Sequence, residues 1–214
     1  MITEIILNNV SFRYHQSWVI NNLNLRIQSS QYWHIQGENG SGKSTLLELI
    51  GKIKEPSQGE VIYDFHPSRF TNSISYCGHQ LGLKSSLTVM QNLRWRDQLY
   101  RSMERSCHLE PELAPITQQQ RVQNALEFWA IDQFADQPLH QLSAGQKKRA
   151  SLACLTLSNA QAWLLDEPYA SLDQPSIEIL NKAIELHLSQ AGSATLSSHQ
   201  APLDHPSQQV LELN

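Results

Sequence analysis

The segment Gly37-Glu38-Asn39-Gly40-Ser41-Gly42-Lys43-Ser44 constrains this chain more than any other. It follows an apolar run at residues 32–35 and leads into residues 45–50, which read as the start of a buried helix. Strand, glycine-rich loop and helix in that order open a βαβ unit. The spacing fits G-x-x-x-x-G-K-[ST]. Glycines let backbone N–H groups converge on phosphate oxygens where a Cβ would obstruct them. The helix that follows directs its positive end at the same oxygens. Lys43 brings a mobile positive charge to the β- and γ-phosphates, and the Ser44 hydroxyl can take a place on Mg²⁺. A nucleotide triphosphate is the ligand this loop predicts.

A second constellation lies far downstream, in Trp163-Leu164-Leu165-Asp166-Glu167-Pro168. Two carboxylates stand where an apolar strand ends, and strand ends are where open α/β sheets keep their ligands. Asp166 is expected to hold Mg²⁺, and Glu167 to orient or deprotonate the water that attacks the γ-phosphate. Alone, the pair reads more readily as a solvated turn after a core strand; the upstream loop turns the balance to the catalytic reading. A third element, Leu142-Ser143-Ala144-Gly145-Gln146, precedes a helix. Ser143 offers a hydroxyl and Gly145 a bare backbone, which makes a second anion-binding surface, or an ordinary helix cap. Two such surfaces around one nucleotide loop point to two copies of the chain sharing two nucleotides.

The chain has 214 residues, enough for one domain with a sub-lobe and a core that needs no disulfide. Sixteen Lys and Arg oppose twenty Asp and Glu, for a formal charge of −4, the wrong sign for a nucleic-acid coat. Cys77, Cys107 and Cys154 lie far apart, with no metal or haem-attachment spacing. Cys77 and His79 together are two soft ligands without further partners, so no haem or metal site is expected there. The opening MITEIILNNV carries an acid and too short an apolar run for a signal peptide. No apolar run reaches the eighteen or so residues a spanning helix needs. Strands are expected at residues 3–8, 23–27, 60–65, 162–165, 194–198 and 209–213. Helices are expected at 88–101, 119–130, 145–157 and 175–187, with a loop over 102–117.

The motifs and their order resemble the ATP-binding-cassette (ABC) ATPases over nearly the whole chain. The phosphate loop resembles their Walker A motif, LSAGQ their LSGGQ signature and LLDEP their Walker B. The resemblance implies an α/β P-loop NTPase fold. Its mixed sheet core (about 1–81 and 149–214) would carry an N-terminal antiparallel β part and an inserted helical subdomain (about 82–148). It implies Glu167, His199 (in LSSHQ) and Gln80 (in ISYCGHQLGL) as catalytic residues. Nucleotide contacts would come from Tyr14 stacking on adenine, from Gly37, Glu38, Asn39, Gly40, Ser41, Gly42, Lys43, Ser44 and Thr45, and across the dimer from Ser143, Gly145, Gln146 and Asp173. Metal ligands would be Ser44, Gln80 and Asp166. ATP and Mg²⁺ are the implied cofactors.

A narrower resemblance is to the haem exporter ATPases of bacterial cytochrome c maturation. It rests on GHQLGLKSSLTVMQNL, in which Gln91 stands where glutamate is usual, and on LSAGQKKRASLACLTLSNAQAWLLDEP. It implies a peripheral subunit on the cytoplasmic face of the inner membrane. Its partners would be a second copy of itself and integral membrane subunits, without nucleic acid and with haem handled by the partners. The alternatives are another exporter ATPase (lipoprotein release or multidrug), a soluble non-transport cassette and a P-loop kinase.

Overall fold

The computed structural model describes residues 2–65, 74–78, 81–106, 116–199 and 203–213. The chain opens with three antiparallel strands: β1 (Ile2–Tyr14), β2 (Ser17–Gln28) and β4 (Gln58–Phe65), in the order β2-β1-β4. β1 is longer than its clean alternation over residues 3–8, because register shifts between Leu7 and Arg13 let it keep pairing through the irregular stretch. Such bulges add twist and keep a strand paired where the side-chain pattern breaks.

The second sheet is parallel throughout: β5 (Ile74–Cys77), β6 (Ala162–Asp166), β7 (Ser193–Ser197), β3 (Tyr32–Gly37) and β8 (Gln208–Leu213), in the order β5-β6-β7-β3-β8. Every residue of β6 and β7 is buried, as expected of strands covered on both faces. Helix α1 (Lys43–Ile50) lies between the sheets. Its Leu46, Leu47, Leu49 and Ile50 share one apolar cluster with Ile5, Leu7, Ile27 and Leu164.

A second cluster joins the other face of the parallel sheet to helices α2 (Val89–Ser106), α3 (Gln118–Phe128), α4 (Ala144–Thr156) and α5 (Gln174–Ser189). Trp129, Leu93, Val122, Leu126 and Leu152 are fully buried there. α2 continues through Ser106, where a loop was expected from residue 102. Asp97 is buried and accepts from Arg121 Nε and Nη2 at 2.8 Å each, and Arg101 pairs with it one turn on. This network ties α2 to α3, and no proline interrupts the chain between the helix and residue 111. β5 was not anticipated from sequence: four residues are too few for a periodicity. Among the described residues no helix is long and apolar enough to cross a membrane.

Candidate functional site: a nucleotide site at the ends of three parallel strands

The register of the parallel sheet assembles the site. β6, β7 and β3 are neighbours, and pairing sets Asp166 beside Ser197 and Ser197 beside Ile35, two residues before the loop. Residues far apart in sequence therefore meet at one sheet edge.

The loop itself is built on positive-φ glycines: Gly40 at φ 88° and Gly42 at φ 100°. A Cβ on Gly42 would sit 2.7 Å from Val19 Cγ1, so both backbone conformation and space require glycine there. Gly42 caps α1 without a side-chain hydrogen bond. By contrast Thr117, Ser143 and Asp173 cap α3, α4 and α5 with side-chain oxygens. The first N–H groups of α1 are thus left for a ligand. Lys43 is only 7% exposed, and its Nζ donates to the carbonyls of Gly37 (2.8 Å) and Glu38 (2.9 Å). Its charge is held over the loop's centre by the loop's own backbone. Ser41 Oγ is buried with no hydrogen-bond partner, a donor awaiting an acceptor. Glu38, Asn39 and Gly40 form the exposed crest, and Thr45 is buried beneath.

Asp166 is buried at the end of β6. Its Oδ1 accepts from Ser44 Oγ at 3.0 Å and from Ser197 Oγ at 2.6 Å. Ser197 Oγ in turn accepts from Glu167 N at 3.0 Å. Glu167 has φ 46°, a left-handed backbone that side chains rarely adopt. The turn aims its carboxylate at His199, whose Nε2 lies 3.5 Å from Glu167 Oε1. Ser197 was not singled out in the sequence; nothing in LSSHQ distinguishes it from Ser198 except the register that the fold supplies.

Tyr14 is 44% exposed and packs edge-on against Phe12, with ring centroids 5.0 Å apart. Its hydroxyl accepts from Lys54 Nζ, which also pairs with Glu48 on α1 at 2.7 Å. That hydrogen bond from Lys54, helped by one with Thr45, lowers the Tyr14 phenol below its ordinary pKa. The ring is therefore tied to α1 while part of it stays open to solvent. Lys54 carries no sequence signal for this role.

LSAGQ lies apart from the loop. Ser143 caps α4 in a capping box, its hydroxyl accepting from Gln146 N at 3.2 Å while Gln146 Oε1 accepts from Ser143 N at 2.8 Å. Ser143 and Ala144 are exposed. A Cβ on Gly145 would meet the Ser171 carbonyl oxygen at 2.7 Å, so the α4 start closes on the turn after Glu167. Among the described residues no hydrogen bond or ion pair joins residues 143–146 to residues 37–45. Asp173 caps α5, accepting from Ser176 N at 3.1 Å. Hydrogen bonds from Ser176 hold its carboxyl below the usual range. Gln80 and His79 lie outside the described residues. Among the described residues no cluster of three His, Cys, Asp or Glu side chains could hold a metal.

The profile of the ABC transporter family matches residues 20–170, across both the loop and the acid pair. The chain belongs to the ABC transporter family. Among curated relatives it is 32% identical over 199 residues to the cytochrome c biogenesis ATP-binding export protein CcmA of Saccharophagus degradans, covering 92% of this chain and 86% of that one. The protein of the same name from Bordetella bronchiseptica is 36% identical over 183 residues, covering 83% and 75%. Among solved structures, a dimeric bacterial ABC transporter cassette superposes with a TM-score of 0.74 at 25% identity, covering 92% of this chain and 88% of that one. An ABC transporter ATP-binding protein from Pyrococcus furiosus superposes with a TM-score of 0.78 at 23% identity, covering 99% and 98%, which bears on the fold alone. This ABC cassette is accordingly a nucleotide-binding ATPase, with the α/β fold and the antiparallel β part that the motifs implied.

Proposed function

We propose that this ABC cassette is the ATP-hydrolysing subunit of an export complex in cytochrome c maturation. Two copies would enclose two ATP molecules head to tail. The observation that carries the shared-site reading is the division of the chain's anion-binding surfaces. Lys43, Ser44 and Asp166 converge at the C-terminal ends of the parallel strands, whereas Ser143 and Ala144 stand exposed at the capped start of α4, with no hydrogen bond or ion pair to that loop among the described residues. One copy's loop can then be completed only by another copy's LSAGQ.

The residues present fit a nucleotide triphosphate with Mg²⁺. An uncapped helix start, a buried ammonium held by carbonyls and the orphaned Ser41 hydroxyl all face one small volume of the loop. Mg²⁺, when bound, would supply charge neutralisation at the phosphates. Ser44, Asp166 and Gln80 would hold it. Lys43 exchanges its carbonyl partners for phosphate oxygens, a trade that keeps the ammonium solvated at every stage. Glu167 accepts the proton of the attacking water at its carboxylate, and His199 steadies that carboxylate from 3.5 Å. Tyr14 offers its open face to adenine. Ser143, Gly145, Gln146 and Asp173 of the second copy would meet the γ-phosphate side. Residues 82–148 would form the helical subdomain that transmits closure, and residues 1–81 and 149–214 the catalytic core. ATP, by bridging both faces, favours the closed dimer; hydrolysis removes the bridge.

Integral membrane subunits would receive that motion at the cytoplasmic face of the inner membrane, and would handle haem or its loaded chaperone themselves. The relatives named for cytochrome c biogenesis support this assignment over lipoprotein or drug export. The test uses Glu167→Gln. The variant should retain ATP, elute as a dimer in ATP on gel filtration and release no phosphate. A pull-down from solubilised membranes should recover cytochrome c maturation subunits. A monomer in ATP sinks the shared site; recovery with a lipoprotein-release permease sinks the pathway.

A further inference from the structure

His34 is a buried titratable residue with no part in the site as described so far. It lies in the middle of β3, 2% exposed, three residues before the phosphate loop. Its Nε2 is 3.0 Å from the carbonyl oxygen of Ser198, 164 residues away. A carbonyl only accepts, so Nε2 carries the hydrogen. On the other side of the ring Gln36 Nε2 donates to Nδ1 at 2.9 Å. The two partners, one on each ring nitrogen, fix the orientation of the imidazole.

The peptide that His34 grips is the one leading into His199. Ser197, at the end of β7, already binds Asp166 and Glu167 through its hydroxyl. Ser198 follows, buried, its carbonyl held from the β3 side. His199 comes next and reaches back to Glu167. The turn is thus held from both neighbouring strands, with β6 anchoring residue 197 and β3 anchoring residue 198. Rotation of the 198–199 peptide would carry the imidazole of His199 away from Glu167, and that contact is already long at 3.5 Å. Release of the carbonyl permits this rotation.

The geometry points to His34 as a positioning residue for the hydrolytic centre: through the Ser198 carbonyl it holds His199 against Glu167. This rests on the reading of Glu167 and His199 as the hydrolytic pair. His34 is buried with Ser198 and Gln36 on its two ring nitrogens, so its loss should lower turnover and leave nucleotide affinity intact. A displacement of the order of 1 Å can cost up to about a hundredfold in rate.

The experiment measures kcat and KM for MgATP, the Kd for the fluorescent analogue mant-ATP and the Tm, in the native protein and its variants. His34→Leu should lose about tenfold or more in kcat with Kd unchanged within about twofold. His34→Gln should restore most of the rate, because its amide Nε2 reaches where the imidazole Nε2–H stood. His34→Asn, whose amide falls short, should not. In a His199→Ala background His34→Leu should add no further loss, since both act on one contact. A structural role would not separate Gln from Asn at equal Tm, nor abolish the second effect. Native kcat in His34→Leu, or losses that multiply with His199→Ala, overturn the proposal. If His34→Leu does not fold, the comparison of His34→Gln with His34→Asn decides alone. Glu167→Gln serves as the control for the parent reading: if it hydrolyses ATP normally, the hydrolytic pair itself is misassigned. If it is inactive while His34→Asn is normal, only the positioning role falls.

Discussion

Ser197→Ala removes one oxygen from the centre of the site, and its cost can be worked out bond by bond. Ser197 is fully buried, and its hydroxyl makes two contacts. The O–H donates to the Asp166 carboxylate at 2.6 Å, a charge-assisted bond with a net value of about 1.5–3 kcal/mol. The same oxygen accepts from Glu167 N at 3.0 Å, but that N–H also reaches the Ser197 carbonyl at 3.2 Å and stays satisfied. The loss is therefore dominated by the carboxylate, which keeps Ser44 as its remaining donor at 3.0 Å. About 2 kcal/mol, in a chain of this size, lowers Tm by roughly 4–8 °C. Calorimetry without nucleotide measures this directly. Turnover should fall as well, because the Glu167 turn loses its side-chain anchor. A Tm within about 1 °C of native with normal ATPase activity would refute the claim that Ser197 holds the two acids in register.

Three further outcomes are expected. Lys43→Ala should lose most ATP affinity by titration calorimetry, since nothing else in the loop carries a positive charge; unchanged affinity would exclude its phosphate role. Gly145→Asp should abolish turnover, since in the proposed dimer it would set a carboxylate beside the γ-phosphate. It should also lower Tm in the monomer, because any Cβ there lies 2.7 Å from the Ser171 carbonyl oxygen; thermal denaturation without ATP separates the two effects. Burial pushes the His187 imidazole down to about 4, so between that value and the unfolded value near 6.5 the unfolded chain binds the extra proton. Stability should therefore fall as pH drops through this window, by about 2 kcal/mol between pH 7 and 5. His187→Phe, which keeps the stack on Trp163, should lose that increment in urea titrations at the two pH values.

The phosphate loop was legible because its chemistry is local. Glycines at set spacings, one lysine and one serine carry the signal wherever they occur between a strand and a helix. The acid pair was legible for a related reason, a polar break at the end of an apolar strand. What stayed hidden is non-local. Ser197, His34 and Lys54 act through partners 31, 164 and 40 residues distant, at Asp166, Ser198 and Tyr14, and only the strand register and the docking of β1 on α1 bring them together. β5 escaped because its four residues hold too little pattern. The end of α2 escaped because residues 102–106 carry no apolar periodicity of their own.

Glu167 holds a backbone conformation suited to glycine, at φ 46°. A residue with a Cβ pays roughly 1–2 kcal/mol to stay there. Selection for folding alone would favour glycine at this bend, yet an acid occupies it. The fold thus carries a built-in discomfort at the residue proposed to activate water, and mutational drift toward a sturdier protein would lead away from that acid.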